Sequence, residues 1–227
     1  MEKGWYNMGM YFHDRGEAGD RLADELINYR FENTAVLALS PGGVAVGEQI
    51  ARRLHCTLSL LLTAKISAPG DESLVLGTLD QTGQFTYNSM ISAGEMEEYM
   101  EDMRGYLEEQ KLAQMYQMTS IVGENGVADP AQLVGRNIII VTDGVKNGLS
   151  FDAALTYLKR IEVEKKIGAV PVGPAEVIER LNHKLDELHY LYIPDNFFSV
   201  GHYYTDEEKI DPDTVMERIN NVVARWS

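Results

Sequence analysis

Three stretches of the 227-residue chain combine residue types that can hold an anion. In "NIIIVTDGVKNGLS", residues 137–150, the apolar run from Ile138 to Val141 reads as a buried parallel strand, and the remainder as a polar turn opening a helix. Gly144 and Gly148 allow backbone amides to turn inward, and Ser150 can cap the helix. An anion there would meet several donors and the positive end of the helix dipole. A plain strand-to-helix connection has the same spacing, and on spacing alone the two readings stand level. In "LSPGGVAVG", residues 39–47, a strand again opens a helix, and adjacent Gly42 and Gly43 permit a close backbone approach or an unusual peptide geometry. A tight turn explains them as well, since the stretch matches neither G-x-G-x-x-G nor G-x-x-x-x-G-K-[ST]. The third is Lys65 in "TAKISAPGD", at the end of an apolar strand where a lysine has no packing reason to be. It either pairs with an anion or reaches solvent.

The elements that must position these loops alternate along the chain. Ala18, Leu22, Ala23, Leu26 and Ile27 mark one helix face, "TAVLAL" a strand, and Val44, Val46, Ile50, Ala51 and Leu54 a second helix. "TLSLLLTAKI" reads as a second strand and "SLVLGTLD" as a third. From Gly94 to Met118 the pattern is one long acidic helix, with Met96, Met100, Met103 and Leu107 as its packing side. "VGENGVADPAQLVG" follows as a loop. After residue 150 come a helix ending near Arg160, the strand "IGAVPVGP", a helix from Val177 to Leu185 and the strand "LHYLYIP". Such alternation predicts an α/β fold, a doubly wound, mostly parallel sheet covered on both faces. Open sheets of this kind bind ligands where strand carboxyl ends meet helix amino termini. The length suits one domain over 1–227, with a helical insertion around 90–120 and a C-terminal hood segment around 194–227.

Composition excludes several classes. A net charge of −15 argues against a nucleic acid partner, which clustered Lys and Arg would have to attract. No apolar run approaches the roughly 18 residues of a membrane span, and the amino end lacks the continuous apolar core of a targeting segment. Cys56 is the single cysteine, which fits a reducing, cytoplasmic setting. His13, His55, His183, His189 and His202 are scattered without zinc-site spacing. No G-x-S-x-G elbow is present.

The strand and loop "IIIVTDGVKNGLS" resembles the ribose-phosphate binding motif of type I phosphoribosyltransferases, in which four apolar residues precede two acids and a glycine- and threonine-rich turn. "FHDRGEAGDRLADEL", "LALSPGGVAVGEQIARRL", "LLTAKISAPGDESLVLGTLD" and "IPDNFFSVGHYYTDEEKIDPDTV" resemble, in the same order, further segments of a bacterial branch of that family. The resemblance implies binding of phosphoribosyl diphosphate or a nucleotide monophosphate, and transfer of ribose 5-phosphate to a nitrogen acceptor. It also implies Mg2+ carried by the diphosphate, and it admits a homodimer. By the same resemblance Lys146, Asn147, Gly148, Leu149 and Ser150 would hold the 5-phosphate, with Gly144 shaping the turn and Asp143 beside the reacting centre. Gly42 and Gly43 would line the diphosphate loop, and Lys65 would neutralise charge on it. Phe198 or Phe197 would stack on a base, although two phenylalanines packed in the core behind a strand is at least as strong an expectation, since buried Phe is routine.

Within the 5-phosphate turn Asn147 replaces a usual threonine and Lys146 adds a cation, and outside it this sequence departs from the family pattern at two places. Thr142 stands where the first acid is usual, and Pro41 in "SPGG" stands where related loops carry an arginine. A lost charge-assisted hydrogen bond costs roughly 1.5 to 3 kcal/mol. The losses at Thr142 and Pro41 fall on the ribose and diphosphate contacts, while the changes at Lys146 and Asn147 spare the 5-phosphate cradle. The alternative function is therefore a catalytically inactive binding or regulatory module.

Overall fold

The computed structural model describes residues 12–122, 128–206 and 210–224. Five strands form a wholly parallel sheet: β1 (Thr34–Ala38), β2 (Thr57–Leu60), β6 (Asn137–Val141), β7 (Lys165–Val172) and β8 (Glu187–Tyr192), in the order β2-β1-β6-β7-β8. A second, antiparallel sheet holds β3 (Thr63–Ala68), β4 (Asp71–Asp80) and β5 (Phe85–Tyr87). The helices are α1 (Arg15–Glu25), α2 (Pro41–Leu54), α3 (Ala93–Asp102), α4 (Arg104–Val122), α5 (Leu149–Leu158), α6 (Ala175–Asn182) and α7 (Pro212–Ala224).

The strand order reverses between β1 and β6, which run in register from Thr34 opposite Asn137 to Ala38 opposite Val141. At such a reversal the connections leave in opposite directions, and a crevice opens beyond the strand ends. Both central strands are buried at every position, as a strand covered on two faces requires. One face carries Val36, Ala38, Ile139 and Val141 against α1 and α2, and the other carries Ala35, Leu37, Ile138 and Ile140 against α5 and α6.

Several boundaries differ from the sequence reading. "TLSLLLTAKI" is two strands in two sheets. The apolar run continues through Leu61 and Leu62, both buried, where the chain crosses over. The Leu61 amide still donates to Ala38, but the Leu62 amide donates to the side chain of Gln81, which directly follows β4 of the second sheet. The acidic helix is broken at Met103 into α3 and α4, and its apolar side is as expected, with Met96 and Leu107 buried and Met100 and Met103 packed on the core. A Ser92–Glu95 capping box starts α3. Residues 123–127 of the predicted loop lie outside the described residues. Ile27 leaves the first helix for a 3-10 turn and is 37% exposed. Residues 194–206 lie beside the crevice, whereas α7 packs on α2, α4 and β2 through Val215 and Val222.

Candidate functional site

Two helix amino termini face the crevice. The first is that of α2. Ser40 is its N-cap and accepts from the Gly43 amide at 2.9 Å, while Pro41 occupies the first helical position, where a missing N–H costs nothing. This explains Pro41 locally: it starts the helix. Gly42 and Gly43 are explained by contacts within the protein. A Cβ on Gly42 would collide with the Asp143 carboxylate, and one on Gly43 would lie 2.9 Å from the Val141 carbonyl oxygen. Neither glycine has a positive φ, and no described peptide bond is cis, so the close approach is what the loop uses and not an unusual peptide geometry.

Asp143 follows β6 and lies over this helix end. Its Oδ2 accepts from Arg15 Nε at 2.9 Å, and its Oδ1 lies 3.4 Å from the hydroxyls of Ser40 and Thr142. Arg15 and Asp143 side chains are each 16% exposed. The Tyr204 hydroxyl donates to the Asp143 carbonyl at 2.6 Å, and Arg15 lies over the Tyr204 ring at 4.8 Å. Burial first, and the Asp143 charge second, push the Tyr204 phenol far above its ordinary pKa, so it stays a donor. A hydrogen-bonded bridge of Phe12 to Tyr203–Thr205 brings the start of α1 to this place. Thr142 is buried, its hydroxyl 3.3 Å from the Gly144 carbonyl.

The second amino terminus is that of α5, and it is arranged differently. Its N-cap is Gly148 at φ 70°, which makes no side-chain cap. The expectation that Ser150 caps the helix is therefore corrected. Ser150 sits inside the first turn, and its hydroxyl accepts from Thr63 of β3 at 3.1 Å. The Leu149 amide is met at 3.3 Å by Asn147 Oδ1. The amides of Lys146, Asn147, Gly148 and Ser150 donate to no protein acceptor among the described residues. Val145 anchors the turn from the other side, its amide donating to Val172 at 2.9 Å.

Two cations complete this end. Lys65 of β3 and Lys146 both lack an ion-pair partner among the described residues. Lys65 is exposed as a residue, yet its ammonium is crowded by protein. That desolvation, with the nearby Lys146 charge second, holds its pKa below the ordinary lysine value. Like charges converging on an uncapped helix end are unfavourable unless an anion joins them. Beneath the turn, Arg180 of α6 donates to the Asn147 carbonyl, and a Cβ on Gly148 would lie 2.7 Å from its guanidinium. Arg180 thus engages the carbonyl side of the turn and leaves the amide side open.

The structure brings Lys65, Lys146, Asn147, Gly148, Leu149 and Ser150 together, and sets Gly42, Gly43, Thr142, Asp143 and Gly144 around the neighbouring helix end. Phe198 and Phe197 separate. Phe197 stacks on Tyr203 at 5.5 Å, half-buried against the Phe12, Tyr203 and Tyr204 cluster, while Phe198 is 68% exposed and contacts His202. The packed-core expectation thus fails for Phe198. Its segment borders the crevice, since a Cβ on Gly144 would lie 2.9 Å from the Val200 side chain. Cys56 is a packed thiol, its pKa pushed up to about 12 by burial. Arg15 and Arg180 escaped the sequence reading. Arg15 had left one signal: a cation in the first turn of a helix opposes the dipole and asks for a partner.

The model of the phosphoribosyl transferase domain family matches residues 11–205. Two Mycobacterium tuberculosis proteins, "Putative phosphoribosyl transferase Rv0571c" of strain H37Rv and MT0597 of strain CDC 1551, are each 28% identical over 211 residues. The match covers 90% of this chain and 45% of theirs, so the chain spans about half the length of these curated relatives. The crystal structure of TT1426 from Thermus thermophilus is similar with a TM-score of 0.70 and 30% identity, covering 96% of this chain and 100% of that one. With the five-stranded parallel sheet and the loops at its switch point, these matches show that the chain belongs to the type I phosphoribosyltransferase family.

Proposed function

We propose that the crevice binds the 5-phosphate of phosphoribosyl diphosphate or of a nucleotide monophosphate at the amino terminus of α5. The observation that carries this reading is that the amides of Lys146, Asn147, Gly148 and Ser150, without protein acceptors among the described residues, lie beside Lys65 and Lys146. A dianion there would join two cations to a helix dipole and fill vacant donors. Asp143 would lie at the ribose, and exposed Phe198 would offer an aromatic face to a base.

Transfer to a nitrogen acceptor would break the bond from ribose C1 to diphosphate and form one from C1 to nitrogen. Most of the work would be positioning and neutralisation of the departing charge. Arg15 is the guanidinium in reach of Asp143, and in this reading it serves where Pro41 replaces the loop arginine. Magnesium would arrive on the diphosphate. Among the described residues no group of three or more His, Cys, Asp or Glu side chains could hold an ion, and Asp143 supplies a carboxylate at the site. Such a donor set fits a cation coordinated chiefly by diphosphate and water.

A specific observation favours a second reading, that of a binding module without turnover. The carboxylate of Asp143 already lies at the amino terminus of α2, paired with Arg15, where a diphosphate would compete with it. Diphosphate release from phosphoribosyl diphosphate, followed with a panel of purine, pyrimidine and other nitrogen acceptors, separates the two. Turnover with any acceptor establishes the transferase. Saturable binding of ribose 5-phosphate without turnover establishes the module, and absence of both defeats the whole reading.

A further inference from the structure

Further along α5 from the open amides, a cleft of about 590 Å3 lies between this helix, β5 and Lys166 of β7. No residue of the 146–150 turn lines it. Its wall on α5 is Asp152, Leu155, Thr156 and Leu158, with Lys159 at the C-cap of the helix. Ile161 and Val163 extend the apolar floor that Leu155 begins, and Tyr87, 52% exposed, presents an aromatic ring from the edge strand β5. Thr86 beside it carries a buried hydroxyl with no partner among the described residues.

The charges in this cleft contrast with the rest of the molecule. On a chain of net charge −15, Lys159, Lys166 and Lys184 face two carboxylates, Asp152 and Glu162. Asp152 is itself held by Lys184 at 2.6 Å and by the Ser89 hydroxyl at 3.4 Å, so its charge is met inside the wall. Lys166 stands 3.9 Å from Asp186, and Lys159 is exposed with no ion pair among the described residues. With Lys184 held by Asp152 and Lys166 beside Asp186, Lys159 is the lysine of this cleft outside any ion pair among the described residues, and an apolar floor with one aromatic wall and that cation suits a flat body bearing a single negative charge.

We propose that this cleft is a second ligand site, separate from the crevice, that takes an aromatic monoanion such as an aryl carboxylate or sulfonate. The ring lies between Tyr87 and Leu155 with Ile161 and Val163 below, and the anionic group meets Lys159. Because α5 forms both this wall and the open amide end, a ligand here touches the element that would present the phosphate donors.

The probe is 1-anilinonaphthalene-8-sulfonate, a monoanionic polycycle whose fluorescence rises and shifts to the blue in an apolar site. The expected result with the native protein is saturable binding at one site per chain. Lys159→Glu, a surface reversal whose folding is verified by an unchanged thermal melt, weakens it by at least about tenfold. Thr156→Trp, which fills the wall without altering charge, weakens it as well, and the Lys65→Ala, Lys146→Ala double variant leaves it unchanged. Absence of saturable binding, indifference to both cleft variants, or loss in the Lys65/Lys146 variant would each overturn the proposal, the last by reassigning the dye to the crevice.

Discussion

The amino termini of α2 and α5 face one crevice and are finished in opposite ways. At α2 the protein supplies its own cap and its own anion: Ser40 takes the Gly43 amide, and the Asp143 carboxylate, held by Arg15, packs on Gly42. At α5 the cap is a glycine, and among the described residues the amides of 146, 147, 148 and 150 have no protein acceptor and the two nearby lysines no carboxylate partner. A helix end that satisfies itself needs no ligand to be stable. One left open carries a standing cost that an anion removes. The difference marks α5 as the place where a phosphate is expected and α2 as a place where a diphosphate must compete.

The comparison is broken most severely by Gly148→Val. A β-branched residue at φ 70° is strained by about 1–3 kcal/mol, and its side chain meets Arg180. Ribose 5-phosphate affinity, measured by calorimetry, should fall by at least about a hundredfold while the parallel sheet persists by circular dichroism. Next in size is Arg15→Ala, which leaves a largely buried Asp143 carboxylate unpaired. It should destabilise the fold by about 3 kcal/mol in denaturant titration and weaken phosphoribosyl diphosphate far more than ribose 5-phosphate. Equal losses for both ligands would show that the two helix ends are not distinct.

Removing either lysine should have a middling effect. Lys65→Ala and Lys146→Ala should each weaken ribose 5-phosphate about tenfold, since a charged hydrogen bond contributes roughly 1.5–3 kcal/mol. Thr142→Asp, which sets a second carboxylate beside Asp143, should make phosphoribosyl diphosphate binding a few-fold tighter in the presence of magnesium, and an unchanged affinity would remove that position from the account. The smallest effect is on pH. Lys65 has a lowered pKa in the folded chain, so the folded state holds fewer protons than the unfolded one as pH rises through that value, and folding gains stability there. Ligand affinity moves the other way: it is full below the depressed pKa and falls as the ammonium is lost above it. Lys65→Arg should keep the affinity and shift that alkaline fall to higher pH.

Much of this was legible in the sequence because local patterns carried it. The strands at 34–39 and 137–141 and the stripe from Val44 to Leu54 announce themselves by burial alone, and the glycines at 42, 43, 144 and 148 mark where chain and helix come close. What escaped has a different physical origin. The apolar run from Leu60 to Leu62 hides a change of sheet, because all three leucines are buried although the chain crosses between the sheets there. The break at Met103 is invisible to periodicity, since the apolar stripe continues through it. Arg15 and Arg180 look like ordinary charges on helix faces. Their partners lie 128 residues away in Asp143 and 33 away in Asn147, so only the tertiary structure reveals them. For the same reason "DGVKNGLS" alone could not distinguish a cradle from a connection: the unpaired lysine that tips the balance arrives from the other sheet.

A structure of the protein with ribose 5-phosphate tests the central claim most directly. The account predicts phosphate oxygens within hydrogen-bond distance of the residue 147–150 amides and the Lys65 ammonium, with the Arg15–Asp143 pair intact. A phosphate seated instead between Ser40 and Gly43, with Asp143 displaced and the α5 turn empty, would contradict it.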